Sequence, residues 1–137
     1  MTIATINMIV GILAGMKLNK ISDKKVKATL VNDYLHLRKH VKDTEADRKE
    51  LVDKFQSDWA DELDAVEAFR RENKPVVGHD AYLDAERDAN KAISGLFERE
   101  VEVDIKSIPM DEFMASCGAE ELTLEQLAFL QEVGIVE

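Results

Sequence analysis

Apolar residues near the start of the chain recur at helical spacing. Ile3, Ile6, Val10 and Leu13 step by three and four, and Ile9 and Met16 widen the same face, which predicts a short helix over residues 3–18. The β-branched side chains in it are less suited to a helix than leucine or alanine. After Asn19 and Lys20, Ser22 and Asp23 carry short side-chain oxygens that can accept from the free N–H groups of a first helical turn, so a new helix is expected from about residue 22.

That helix carries the most regular pattern in the chain. Leu30, Tyr34, Leu37, Val41, Thr44, Arg48, Leu51 and Phe55 follow at alternating steps of four and three, which is a heptad seam. Beyond Phe55 the steps become four and four, through Trp59 to Leu63, then three to Val66 and Phe69, a stutter that locally unwinds a supercoil. Thr44 and Arg48 stand where apolar residues belong, and Asp43 with Thr44 could cap a second helix. One bent helix over about 22–73 and two consecutive helices are both allowed, with the bend expected at Thr44 and Arg48. Unbroken, about 50 residues would reach ~75 Å, longer than a domain of this size is wide.

Pro75 cannot continue a helical ladder, and Gly78 marks the loop that follows. Tyr82, Ala85, Ala89, Ile93 and Leu96 then predict a helix over about 80–99 that folds back antiparallel on the C-terminal half of the long one. From Glu100 the period changes. Val101, Val103 and Ile105 alternate with Glu102, Asp104 and Lys106, the pattern of a half-exposed strand over about 100–108, and a lone strand must find a partner. Pro109 ends it, Met110 to Ser116 reads as a short helical turn, and Cys117-Gly118 as a stop. Thr123 and Gln126 form a capping box for a last helix over about 123–133, bearing Leu124, Leu127, Phe129 and Leu130 and closed by Gly134. The fold class predicted is mainly α. It is one domain over 1–137: a long helix with an antiparallel helical hairpin, a short strand and a small C-terminal helical segment.

Composition agrees with packed helices. In 137 residues, 45% are hydrophobic and 34% charged, a balance of apolar stripes and not of a disordered tail. A chain this short dominated by one long helix leaves part of that helix uncovered, so a partner protein is expected. The clean half of the seam, Leu30, Tyr34, Leu37 and Val41, is the predicted interface. Trp59 either plugs the junction of the hairpin or anchors that interface.

Charge sharpens the picture. From Lys17 to Lys42 there are eight basic residues against two acidic, a balance of +6, while the remainder holds ten basic and 26 acidic, a balance of −16. Such segregation suits attraction within the chain or between subunits. Among those cations only Tyr34 supplies an aromatic ring, and the acidic remainder repels phosphates, which argues against a nucleic-acid partner. The apolar stretch Ile3 to Met16 falls short of the ~20 residues that span a bilayer, and its first lysine, Lys17, follows it where a signal peptide has positive charge in front. It reads as a buried helix, with no membrane role. Cys117 has no disulfide partner in the chain, which points to a reducing compartment such as the cytoplasm or to a framework that needs no staples.

Catalytic chemistry finds no foothold. His36 and His40 lie four apart, a spacing that lets two imidazoles face one metal, with His79 a distant third. The glutamate of the zinc-protease helix is missing between them, and Lys39 and Lys42 oppose a cation, so they read as surface histidines and no metal is expected. Cys117 reads as a buried thiol. Gly11 and Gly15 lack the Lys-Ser/Thr of a phosphate loop. No cofactor, no small-molecule substrate and no enzymatic activity are expected.

The apolar start (Ile6 to Leu13), the charged helix with Arg48, Leu51 and Phe55, the late EVEVDIKSI segment and the closing ELTLEQLAFL segment together resemble a family of small uncharacterised proteins of tailed phages and prophages. The resemblance implies a structural, assembly or host-directed interaction protein, without catalytic residues. The expected function is therefore non-enzymatic protein–protein interaction, phage structural or assembly-associated, with self-association through the long helix as homo-oligomer or with other phage proteins. The alternative is an acidic inhibitor whose carboxylates mimic nucleic acid and block a host or defence enzyme, which rests on the −16 balance.

Overall fold

The computed structural model describes residues 1–116 and 121–137, so the stop expected at Cys117-Gly118 and the Cys117 thiol lie outside the described residues. The described part is mainly helical, with helices α1 (Ile3–Gly15), α2 (Lys24–Asp58), α3 (Ala60–Arg71), α4 (Asp80–Glu98), α5 (Met110–Ala115) and α6 (Leu124–Glu132). The chain divides into two compact units, one formed by Met1–Lys42 and Glu100–Glu137, the other by Asp43–Arg99.

In the first unit α1 begins where the Thr2 hydroxyl accepts from the Thr5 N–H at 3.1 Å. Its inner face is Ile3, Ile6, Ile9 and Leu13, all buried, and a single 3-10 turn at Leu18–Lys20 follows. Asp23 caps α2 as expected, one carboxylate oxygen accepting from the N–H groups of Lys25 (2.9 Å) and Val26 (3.1 Å). Val26, Leu30, Asp33 and Leu37, at steps of four, three and four, form the buried stripe of α2 in this unit. Phe113 of α5, Leu130 of α6, and Ile108, Ile135 and Val136 complete the core, each at most 3% exposed. The capping box of α6 is formed as expected: Thr123 Oγ1 accepts from the Gln126 N–H at 3.1 Å, and Gln126 Oε1 from the Thr123 N–H at 3.0 Å. Gly134 turns the chain with φ of 86°, a region a side chain rarely adopts.

The strand expected over 100–108 does not form, and among the described residues there is no sheet. Residues 101–107 are extended, flanked by two isolated bridges, Thr2 with Glu100 and Ile108 with Val136. The alternation nevertheless sorts the faces, because Val101, Val103 and Ile105 are half-buried while Glu102, Asp104 and Lys106 are exposed. What differs is the partner. The segment is pinned by side chains of α2 in place of a neighbouring strand, so the period of two is satisfied without a ladder.

In the second unit Tyr82 of α4 meets Phe55 and Trp59, with ring centroids 5.3 and 5.9 Å apart, while Arg99 reaches Asp47 at 3.5 Å. α4 therefore runs antiparallel to the later part of α2, as expected. The helix expected over about 22–73 is two helices, with the break between them at Trp59, while the two compact units divide within α2 between Lys42 and Asp43, beside Thr44. Trp59 has φ −119° and ψ 24°. The ladder carries on around it, with Trp59 N–H bonded to Phe55 O (3.1 Å) and Leu63 N–H to Trp59 O (3.0 Å). The stutter spacing rotates the apolar stripe here, and the indole packs edge-on against Tyr82. Arg48 causes no break because it turns outward and pairs with Glu45 at 3.3 Å. Thr44 simply stays on the buried stripe at 1% exposure, at the small helical cost of a β-branched residue.

The Thr44 hydroxyl has no hydrogen-bond partner despite its burial. Replacing it by a methyl group removes an unpaired polar atom, so Thr44→Val is expected to raise stability by about 1 kcal/mol in urea denaturation. A loss of stability would mean that the hydroxyl is hydrogen-bonded in solution.

Candidate functional site

Of the positions expected to form an interface, Leu30 and Leu37 are fully buried in the first unit and belong to the core of the single chain. Tyr34 and Val41 are half-buried, and Trp59 is half-buried in the second unit. The inner seam of α2 is thus largely filled from within. Sequence reasoning missed Asp33, which occupies the same stripe at 3% exposure. Its signal was the spacing Val26, Leu30, Asp33, Leu37, which puts a carboxylate at a core position.

Asp33 and His36, one turn apart on α2, hold the extended segment. Lys106 N–H donates to Asp33 Oδ1, and Asp104 N–H donates to His36 Nε2, both at 3.0 Å. An accepting Nε2 carries no proton, so this geometry requires the neutral imidazole with its proton on Nδ1. The second Asp33 oxygen is buried without a partner. Burial pushes the Asp33 carboxyl above its ordinary range, against the lowering effect of the Lys106 N–H and of the Lys106 charge. A pocket of about 350 Å³ opens beside this clasp, lined by Lys25, Asn32 and Lys106 among others. One oxygen of Asp33 and Nε2 of His36 thus accept main-chain N–H groups of the segment.

The histidines do not converge. His36 and His40 pack edge to face at 5.6 Å, while His79, in the second unit, bonds Glu62 at 2.9 Å. Among the described residues no group of three or more His, Cys, Asp or Glu side chains is placed to hold a metal ion.

The second unit has a groove between its helices, lined by Phe55, Leu63, Tyr82 and Ile93 and crossed by a bidentate pair, Arg70 to Glu86, at 2.9 and 2.6 Å. The guanidinium holds the Glu86 carboxyl below its usual range, and burial raises the Tyr82 phenol. At about 240 Å³ the groove is smaller than the roughly 300–1,000 Å³ of small-molecule sites.

The exposed surface carries more information. α1 contains no charged residue, and its outer side presents Met8 at 57% exposure beside Gly11 and Gly15, above which nothing lies within 4 Å. A shallow groove of about 350 Å³ runs between Met8, Gly11, Ile12 and Gln126, and Leu124 at the start of α6 is 85% exposed. On the outer side of α2, Leu35 is 54% exposed among Arg38, Lys39 and Lys42. Among the described residues none of the eight cations from Lys17 to Lys42 forms an ion pair. No helix among them is long and apolar enough to cross a membrane. Comparison with family models, curated proteins and solved structures found no match.

The Asp33 clasp can be tested directly. Asp33→Ala strands the Lys106 N–H and is expected to cost about 1–3 kcal/mol of stability. Because the native carboxyl holds its proton more tightly than the unfolded one, the wild type loses stability as pH rises from the ordinary carboxylate pKa through the raised native one. Asp33→Asn keeps an acceptor and removes that slope. Urea denaturation at stepped pH should show the wild-type stability falling relative to Asp33→Asn over this window. A constant difference would contradict the buried carboxyl.

Proposed function

We propose that this chain is a non-enzymatic protein–protein interaction protein of the structural or assembly-associated kind found in tailed phages. Its place of action is the host cytoplasm or the particle. The resemblance described for the sequence supports the phage setting, and the structure supports the interaction reading through one observation in particular. The outer side of α1, a helix without a single charged residue, presents Met8 beside Gly11 and Gly15, and Leu124 of α6 is also exposed, which favours contact with another protein. Charge depletion on such a surface, with methionine in it, matches the core of protein interfaces. In this reading the long helix also brings copies of the chain together.

The reading predicts that the chain forms a complex with at least one protein encoded beside it, observed by light scattering on purified pairs. Met8→Glu with Leu124→Glu should weaken that complex at least tenfold while leaving the helical content unchanged. A wild-type chain that stays monomeric alone and with each neighbouring product, or a complex indifferent to both substitutions, would count against it.

A further inference from the structure

Along an extended chain the N–H and C=O groups of alternate residues point to opposite edges, and in residues 101–108 the two edges are used unequally. The edge of the even positions is taken. Asp104 and Lys106 donate their N–H groups to His36 and Asp33, both at 3.0 Å, and Ile108 bonds Ile135 at 3.0 Å and Glu137 at 2.9 Å. The edge of the odd positions is taken only at its start. There Val101 N–H donates to Met1 O at 2.9 Å and Val101 O accepts from the Met1 amine at 3.2 Å, beside the antiparallel bridge of Thr2 with Glu100. Beyond it the main-chain groups of Val103, Ile105 and Ser107 make no hydrogen bond among the described residues. Main-chain groups are almost always paired where they are buried, so this row stands toward water. Such a row is a template for another extended chain, and at Val101 the same edge already accepts one.

We infer that residues 103–107 pair antiparallel along this open edge with the same residues of a second copy, about a two-fold axis at Ile105. That register places Ile105 opposite Ile105 and Val103 opposite Ser107 as hydrogen-bonded pairs, all with their free groups on the shared edge. It places Asp104 opposite Lys106 of the second copy, twice over, at the non-bonded pairs where side chains stand closest. Both residues are exposed, and neither forms an ion pair among the described residues. Read backwards, Asp104-Ile105-Lys106 is its own charge complement, which is what an isologous contact requires. The register is specific. An axis at Asp104 keeps the odd positions together but faces Asp104 with Asp104. An axis at Lys106 faces lysine with lysine and sets Val103 against Pro109, which has no N–H. An axis between two residues sets odd positions against even ones, whose groups are turned to α2. The pairing is short, because Met1 holds the edge at Val101 and Pro109 has no N–H to give at the other end.

This contact lies within the first unit and uses neither the outer side of α1 nor an exposed face of the long helix, so it goes beyond the interaction reading above. With so few facing pairs the dimer is weak and forms as the protein is concentrated. Sedimentation equilibrium should show that dimer. Residue-resolved amide exchange should show Val103, Ile105 and Ser107, free in dilute protein, slowing at least ~10-fold in step with dimer mass, while Asp104 and Lys106 do not change. Two charge variants, Asp104→Lys and Lys106→Asp, make the decisive comparison. Each alone sets like charges across the axis and should dimerise at least ~10-fold more weakly, with unchanged circular dichroism. Mixed in equal amounts they restore opposite charges at both contacts, and the dimer should return. The Met8→Glu, Leu124→Glu protein should dimerise as the wild type does, which separates failure of this contact from failure of the α1 reading. A wild type that stays monomeric when concentrated, or a dimer in which the three amides still exchange freely, would overturn the pairing. So would charge variants that dimerise as the wild type does, or a mixture of them no tighter than either alone.

Discussion

The first unit depends on how one extended segment satisfies its backbone without a sheet. Main-chain N–H and C=O groups removed from water must be paired, at a cost of about 1–3 kcal/mol for each that is not. Four of the N–H groups in residues 101–108 find their partners one by one. Val101 N–H bonds Met1 O at 2.9 Å, Asp104 and Lys106 bond His36 and Asp33, and Ile108 N–H bonds Ile135 O at 3.0 Å while its carbonyl accepts from Glu137 at 2.9 Å. The segment thus ties α1, α2 and the residues after α6 into one unit. It also explains why a carboxylate is tolerated in the core, since Asp33 is the acceptor that Lys106 needs.

Much of this was legible in the sequence where a local rule governs. Asp23 and the Thr123–Gln126 pair act through neighbours two or three residues away, so their caps could be read directly. The alternation at 101–105 correctly assigned its faces, but the sequence alone does not say whether an extended segment pairs with a strand or with side chains. Asp33 was hidden for the same reason. Its partner lies 73 residues away, and only that distant N–H makes a buried carboxylate reasonable. At the helix break the signal was present twice, as polar seam residues at Thr44 and Arg48 and as a stutter at Trp59. The polar residues were absorbed, one by burial and one by turning outward, whereas the change of spacing could not be absorbed without moving the stripe.

The same logic separates the interior from the surface. Of the heptad seam that suggested a partner chain, Leu30 and Leu37 are buried inside the first unit, and Nε2 of His36 accepts the Asp104 N–H. Among the described residues the exposed large apolar side chains include Met8 of α1 and Leu124 of α6.

Residue-resolved amide hydrogen exchange tests the pinning of the extended segment most directly. The amides of Val101, Asp104, Lys106 and Ile108 are predicted to be protected to a degree comparable with the helices of the first unit, while those of Glu102, Val103, Ile105 and Ser107, which bond nothing, exchange freely. Uniformly fast exchange from 101 to 108 would show that the clasp of Asp33 and His36 does not hold in solution.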